Sequence, residues 1–355
     1  MTTDATVLVT GGTGFLAGYC IAQLLRAGYR VRATVRTAAK TGQVERAARA
    51  AGAVPDGAVP DGALSDGVLS FTVADLTSDA DWAEAVRGCD YVLHVASPLP
   101  RDVPRDASEL IDPAREGTLR VLRAARDAGV RRTVLTSSFA AIGYGHPPTA
   151  RPFTEDDWTN VDAPEVNPYL KSKTLAERAA WDFAARDGGG MELAVVNPVG
   201  IFGPVLGPDF ASSIGVVKAM LAGELPRTPR LWTAVVDVRD AADLHLRAMT
   251  SPRAAGERFI AAAGDAVSYH HIAQTLRDRL GPDARHVPAR DIPSWFVHAG
   301  APFVPAFRQF TVNLDKVRHV DNAKARTVLD WRPRSAEDAV TATAESLLAL
   351  GLVSR

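Results

Sequence analysis

The chain predicts a doubly wound α/β fold: a parallel sheet with helices on both faces, and a smaller C-terminal lobe. Two observations predict it. Over the first half of the chain, short β-rich runs alternate with helical patterns, and the runs are continuously apolar, as strands buried on both faces must be. After Pro198 the rhythm breaks, and glycine, proline and aromatic residues cluster at 202–210 and again at 288–310, which reads as a separate lobe closing over the strand ends.

In chain order, the strand runs are 7–10, 31–35, 69–73, 91–95, 133–136 and 193–196. Helical patterns lie between them, as at 15–27 and 117–128, and Gly28 and Gly129 follow these two as C-terminal stops. The interval 53–69 reads AVPDGAVPDGALSDGVL, three near-copies of a Pro/Ser-Asp-Gly turn. It lacks the nonapeptide glycine-aspartate pattern of a calcium-binding repeat and reads as a turn-rich surface loop. A further run at 231–238 is expected to return to the sheet.

Composition narrows the function classes. The 355 residues are 46% apolar and 23% charged, with a formal net charge of −1. No global attraction to nucleic acid or to an anionic membrane follows from that balance. Cys20 and Cys89 form no CxxC pair and no disulfide ladder, in keeping with a reducing compartment. The first apolar run is three residues long, too short for a signal sequence or a membrane span, so a cytoplasmic protein is expected.

The first strand leads into Thr10-Gly11-Gly12-Thr13-Gly14-Phe15-Leu16-Ala17, which contains GxGxxA at Gly12, Gly14 and Ala17, and GxxGxxA from Gly11. Glycine permits positive φ and lets a pyrophosphate approach the backbone, and the following helix offers free N–H groups and a positive dipole end. Preceded by a strand and opening a helix, the motif predicts a Rossmann dinucleotide site formed by Gly11, Gly12, Thr13, Gly14, Phe15 and Leu16. The division that follows is a dinucleotide-binding domain over 1–198 plus about 231–262, and a substrate-binding lobe over about 199–230 plus 263–355.

The second strand ends at Arg36, with Lys40 following, where an NAD site carries Asp or Glu for the ribose hydroxyls. A guanidinium instead suits a 2′-phosphate, so NADP(H) is the expected cofactor; the alternative is a solvated surface arginine. Asp75 and Leu76 follow the third strand, placed to accept from the adenine amino group and to cover the ring; alternatively Asp75 caps a helix starting near residue 79.

Tyr169 and Lys173 stand at i and i+4 in YLKSK, on one helix face. Thr136, Ser137 and Ser138 end the fifth strand, where catalytic groups collect. Alone, YxxxK occurs often by chance. In this order, after a glycine loop and a serine at a strand end, it is specific.

With these motifs the chain resembles the extended short-chain dehydrogenase/reductase family over essentially its full length. TGGTGFLA, VRATVR, ADL, HVASP, EGTLRVL, LTSS, YLKSK, VNPVGIFGP, VVDVRDAADLH and DNAKARTVLDWRP are similar to the dihydroflavonol-reductase-like carbonyl reductases. Ala17 departs from the glycine of many extended members. The resemblance implies that Tyr169 exchanges a proton with the reacting oxygen, that Lys173 holds the nicotinamide ribose and favours tyrosinate, and that Ser138 hydrogen-bonds the substrate oxygen, with Ser137 as the alternative. It implies further that Val95, Ala96 and Ser97 line the cofactor groove, that Pro198 and Ile201 pack near nicotinamide, and that Ser213 contacts the diphosphate; Thr136 falls in the same groove. A positive charge about 4–5 Å from the phenol would favour tyrosinate by roughly 3–4 kcal/mol, bringing a pKa of about 10 towards neutrality.

The expected reaction is reduction of a small apolar aldehyde or ketone, or its reverse, without a metal. His270 and His271 are adjacent but have no matching ligand set, and His94 is expected to pack beside a strand end. Leu99, Phe139 and Phe202, with the aromatic stretch Trp295, Phe303, Phe307 and Phe310, suggest an apolar pocket or, residue by residue, ordinary core. Two alternatives remain: a nucleotide-sugar epimerase or dehydratase retaining NAD, and a non-catalytic redox-sensing cofactor binder.

Overall fold

The structure is a computed structural model that describes residues 4–53, 67–98, 106–208, 210–304, 307, 310–353. Most of the repeated turn interval, and Leu99, lie outside the described residues.

The chain opens with β1 (Thr6–Val9), α1 (Phe15–Arg26), β2 (Arg30–Val35) and α2 (Thr41–Ala50), continuing through β3 (Leu69–Val73), α3 (Trp82–Val86), β4 (Tyr91–His94) and α4 (Ser108–Asp127). Then come β5 (Arg132–Thr136), α5 (Pro168–Asp187), β6 (Glu192–Pro198) and β7 (Gly200–Phe202), followed by α6 (Ile214–Leu221), β8 (Trp232–Thr233), β9 (Val235–Asp237) and α7 (Val238–Thr250). The last elements are β10 (Arg258–Ala261), β11 (Val267–Ser268), α8 (Tyr269–Leu280), α9 (Ser294–Gly300), α10 (Ala323–Leu329) and α11 (Ala336–Ala349).

Seven strands form one sheet in the order β10-β6-β5-β4-β1-β2-β3, parallel at every pairing. The reversal between β1 and β4 is the switch point at which ligands bind outside the strand ends. Apolar runs are required because both faces are covered. Val7 and Val9 enter one core with α1 and α7, while Leu8 between them enters the other with α3, α4 and α5.

Gly28 and Gly129 close α1 and α4 at φ 84° and 73°. Each makes the paired hydrogen bonds of a left-handed C-terminal cap, such as Gly28 N to Leu25 O and Tyr29 N to Leu24 O, both 3.0 Å.

Two expectations are corrected. The 231–238 run does not return to the main sheet. It splits into β8, antiparallel to β11, and β9, parallel to β7, while β10 takes the seventh place beside β6. The helix expected from 117 begins at Ser108 and carries Pro113 inside it. Pro113 is the sixth residue of the helix, past the N–H groups a helix leaves free, so it forgoes the bond its N–H would give to the carbonyl of Glu109.

Candidate active site

A cavity of about 1130 Å³ runs along the carboxyl ends of the strands. Its walls include Gly11, Thr13, Gly14, Phe15 and Leu16 from the glycine turn; Arg36 after β2; Asp75 and Leu76 after β3; and Val95, Ala96 and Ser97 after β4. Beyond these lie Thr136, Ser137, Ser138 and Phe139 after β5, then Tyr169 and Lys173 of α5, then Pro198, Ile201 and Ser213. Most of the site residues read from the sequence therefore share one cavity.

The glycine turn is built for close approach. Gly11 has φ 68°, and a Cβ there would fall 2.9 Å from that of Ala96. Thr34 Oγ1 accepts from Gly11 N at 2.9 Å, tying the turn to β2. Gly14 is the N-cap of α1 and supplies no side-chain cap, so the first-turn amides beside the cavity keep their donors. Gly12 does not line the cavity: it donates to Thr34 O at 2.9 Å and packs towards Ala33 and Val44.

Arg36 is exposed at the cavity wall and has no hydrogen-bond or ion-pair partner among the described residues. Lys40 lies off the wall and donates to Gln43 Oε1 at 3.1 Å. Asp75 caps no helix. It accepts from the N–H and the hydroxyl of Thr77, both at 2.8 Å, and these bonds hold its carboxyl below the usual range. The following helix begins only at Trp82.

Asn167 caps α5 by accepting from Leu170 N at 3.0 Å, and Pro168 starts the helix, which sets Tyr169 in its first turn. Tyr169 is 39% exposed, towards the cavity. Burial is the first cause holding its hydroxyl above the ordinary tyrosine range; a hydrogen bond with Ser138 acts downwards and Tyr144 upwards. Lys173 is not among the groups acting on this hydroxyl, so the expected depression by Lys173 is not found. Lys173 Nζ instead donates to Ser97 Oγ at 3.0 Å, and burial pushes its pKa down to about 8 against the opposing pull of Glu177.

The two serines separate cleanly. Ser137 donates to the buried carboxylate of Glu177, whereas Ser138 lines the cavity with Tyr169 and accepts from Ala140 N at 3.1 Å. Thr136 gives its hydroxyl to His245 Nε2 at 2.7 Å, since His245 Nδ1 donates to Ala241 O. His94 pairs with Thr10 Oγ1 at 2.9 Å, and burial pushes its pKa down to about 3. His270 and His271 pair with Asp291 and Glu337, and no group of three or more His, Cys, Asp or Glu gathers as metal ligands among the described residues.

Of the apolar residues expected at a substrate pocket, Phe139 lines the cavity. Phe202 does not: at 1% exposure it belongs to the core, because its strand pairs with β9 beneath the wall. Trp295 and Phe303 are 71% and 84% exposed away from the cavity, and Phe307 and Phe310 pack on Leu231, Val297 and Leu314.

The sequence reading missed Glu177, Tyr144, Trp232 and Arg318. Glu177 extends the Tyr169–Lys173 spacing by another i+4 step and was findable. Tyr144 and Arg318 come from irregular segments with no periodic signal, and Trp232 lies in the 231–238 run, expected as a strand of the main sheet rather than as cavity wall.

The family model described as "NAD dependent epimerase/dehydratase family" matches residues 7–262. Dihydroflavonol 4-reductase of Zea mays is 34% identical over 299 residues, covering 82% of this chain and 77% of that protein. Cinnamoyl-CoA reductase CAD2 of Medicago truncatula is 32% identical over 279 residues, covering 77% and 80%. Among solved structures, yeast methylglyoxal/isovaleraldehyde reductase Gre2 complexed with NADPH superimposes with a TM-score of 0.77 at 25% identity, covering 98% of this chain and 99% of that one.

Proposed function

This chain belongs to the NAD dependent epimerase/dehydratase family, the extended short-chain dehydrogenase/reductases, and on that premise we propose that it is an NADP(H)-dependent reductase of small aldehydes or ketones. The observation that carries the reading is that Ser138, Tyr169 and Lys173 line the same cavity as the glycine turn and the unpartnered Arg36. The reductase relatives, one of them complexed with NADPH, support it.

The residues fit the cofactor. Positive φ at Gly11 and the uncapped start of α1 suit a pyrophosphate held by the amides of 13–16, and Arg36 suits a 2′-phosphate. Asp75 and Leu76 would hold the adenine; Val95, Ala96, Ser97, Thr136, Pro198, Ile201 and Ser213 the nicotinamide half; Lys173 its ribose. We assign these contacts, apart from those of Ile201 and Ser213, to a dinucleotide-binding body over 1–198 plus about 231–262, with the remaining chain, which supplies those two, as substrate lobe. When bound, NADPH supplies hydride to the carbonyl carbon. Ser138 donates a hydrogen bond to the carbonyl oxygen, where negative charge develops. Tyr169 delivers the proton to that oxygen. Phe139, Tyr144 and Trp232 give the substrate an apolar bed.

No helix among the described residues is long and apolar enough to cross a membrane. We place the reaction in the cytoplasm, where Cys20 and Cys89, both buried, stay reduced.

The test is NADPH oxidation with a panel of aromatic and branched aldehydes and ketones, set beside nucleotide sugars. Stoichiometric oxidation with a carbonyl is the expected result. Turnover of a nucleotide sugar without net NADPH loss would make it an epimerase, and tight binding without either turnover would make it a redox sensor.

A further inference from the structure

The lobe side of the cavity holds a cation that the proposed reduction does not use. Arg318 lines the wall beside Tyr144, Trp232, Thr233 and Ala266. Its guanidinium carbon stands 4.2 Å from the centroid of the Tyr144 ring. Tyr144 packs edge-on against Phe139, centroids 6.2 Å apart, and acts electrostatically on the Tyr169 hydroxyl. Arg318 and the proposed proton donor thus line one cavity, with Tyr144 in contact with the first and acting on the second.

Three cations line the cavity among the described residues, and each stands apart. Arg36 follows β2, far along the sheet edge from β5, and Lys173 is bonded to Ser97 at 3.0 Å. Arg318 has no hydrogen-bond or ion-pair partner among the described residues; Glu165 acts on it only at longer range. Burial lowers its pKa, with Tyr144 and Glu165 opposing. A ring under a guanidinium attracts the charge but does not replace an oxygen acceptor for its five N–H donors. A partly desolvated cation of this kind gains most from a planar anion that meets its fork with two hydrogen bonds.

We propose that Arg318 is the recognition cation of the substrate end, and that the substrate is an oxo acid: an apolar carbonyl compound bearing a carboxylate remote from the carbonyl that is reduced. This rests on the carbonyl-reductase reading. The carboxylate does not react. Hydride adds to the carbonyl carbon, the Tyr169 proton to its oxygen, and the C=O becomes CH–OH as NADPH is oxidised to NADP⁺.

The matched probes are 4-formylbenzoate and its methyl ester, which differ by one charge at similar shape. The wild-type protein should show a KM about 10- to 150-fold lower for the acid, the range of a charged hydrogen bond. Arg318→Gln should abolish that preference by raising KM for the acid while leaving the ester nearly unchanged, and Arg318→Lys should restore part of it. A wild-type preference for the ester, or an equal loss on both substrates in Arg318→Gln, overturns the proposal. If neither aldehyde is reduced, the carbonyl-reductase reading fails on its own terms. Calorimetric binding of 4-(hydroxymethyl)benzoate against its methyl ester, with NADP⁺ present and absent, then decides the inference: acid-selective binding lost in Arg318→Gln sustains it, and unselective or undetectable binding overturns it.

Discussion

Ser137 and Glu177 share a buried hydroxyl–carboxylate hydrogen bond between the end of β5 and the middle of α5, while Ser138, one residue on, turns to Tyr169. The separation follows from the backbone. Ser138 is extended, at φ −163° and ψ 154°, so adjacent side chains leave the chain on opposite sides. Two serines that look equivalent in sequence thus have different surroundings. Ser137→Ala should lower stability by about 1.5–3 kcal/mol, the worth of a hydrogen bond to a charged group, with turnover nearly kept. Ser138→Ala should do the reverse, lowering turnover by about 10²–10³-fold as for loss of one oxyanion donor. Urea unfolding beside steady-state kinetics reads both, and the opposite pattern would exchange the assignments.

Tyr169→Phe removes one hydroxyl from a side chain that faces the cavity, so its packing should survive. NADPH affinity, read by fluorescence, should stay near the parent value. Single-turnover hydride transfer should fall by about 10²–10⁴-fold, the usual cost of losing a general acid. Near-parent transfer on a verified substrate would mean the proton comes from another group.

Lys173 gives the pH dependence its sign. Burial pushes its pKa down to about 8, and Glu177 holds it up. Above that pH the ammonium loses its charge, so kcat/KM for reduction should decline along a one-proton limb. Removing the charge in Glu177→Gln should move that limb to lower pH. Because the unfolded lysine titrates at its ordinary 10.5, the unfolded chain binds more protons between about 8 and 10.5. This group's contribution to unfolding free energy therefore rises with pH through that window. A pH–rate profile of the two proteins checks the link, and a limb that stays in place breaks it.

Where one local rule decided the outcome, the sequence was readable. Five of the six apolar runs match strands to within a residue or so, and the sixth, 193–196, extends to Glu192–Pro198. The glycine turn, Arg36 and the Tyr169–Lys173 face were readable for the same reason: each depends on neighbours in sequence. Pairing partners are not local. The 231–238 run has strand composition, yet the sheet position it was expected to take goes to β10, so it pairs with β7 and β11 instead. Phe202 failed likewise, since whether a strand side chain faces core or cavity depends on which strand lies beside it. Arg318 and Tyr144 meet only because distant segments cross, and no spacing rule reports that.

Arg36 sets cofactor choice in the proposed reaction. A charge-assisted hydrogen bond of about 1.5–3 kcal/mol corresponds to a preference for NADPH over NADH of about 10- to 150-fold. Arg36→Asp should reverse it, since a carboxylate repels the 2′-phosphate and accepts from ribose hydroxyls. As Arg36 is exposed, the preference should shrink at high salt. Dissociation constants for both cofactors at low and high salt test this, and equal affinities in the parent protein would remove Arg36 from the site.

Gly11 is where backbone conformation and cofactor binding are expected to fail together. Its φ of 68° lies in the left-handed region, and an added Cβ would approach Ala96 Cβ to 2.9 Å and Ala96 Cα to 3.1 Å. Gly11→Ala therefore meets two costs: about 1–2 kcal/mol for an L side chain in that conformation, and displacement of the segment after β4. That segment carries Ser97, which accepts from Lys173, so the shift should reach Lys173 as well as the glycine turn. Stability should drop by about 2–4 kcal/mol, within the range of strain at a special φ/ψ combined with overpacking. NADPH affinity should fall at least as steeply. Gly264→Ala is the control: it is exposed, has no positive φ, and its Cβ would meet nothing within 4 Å, so a change within about 0.5 kcal/mol is expected. Urea midpoints and NADPH titrations of the three proteins measure both effects. If Gly11→Ala binds NADPH like the parent, the turn does not approach the cofactor and the pyrophosphate must lie elsewhere along the groove.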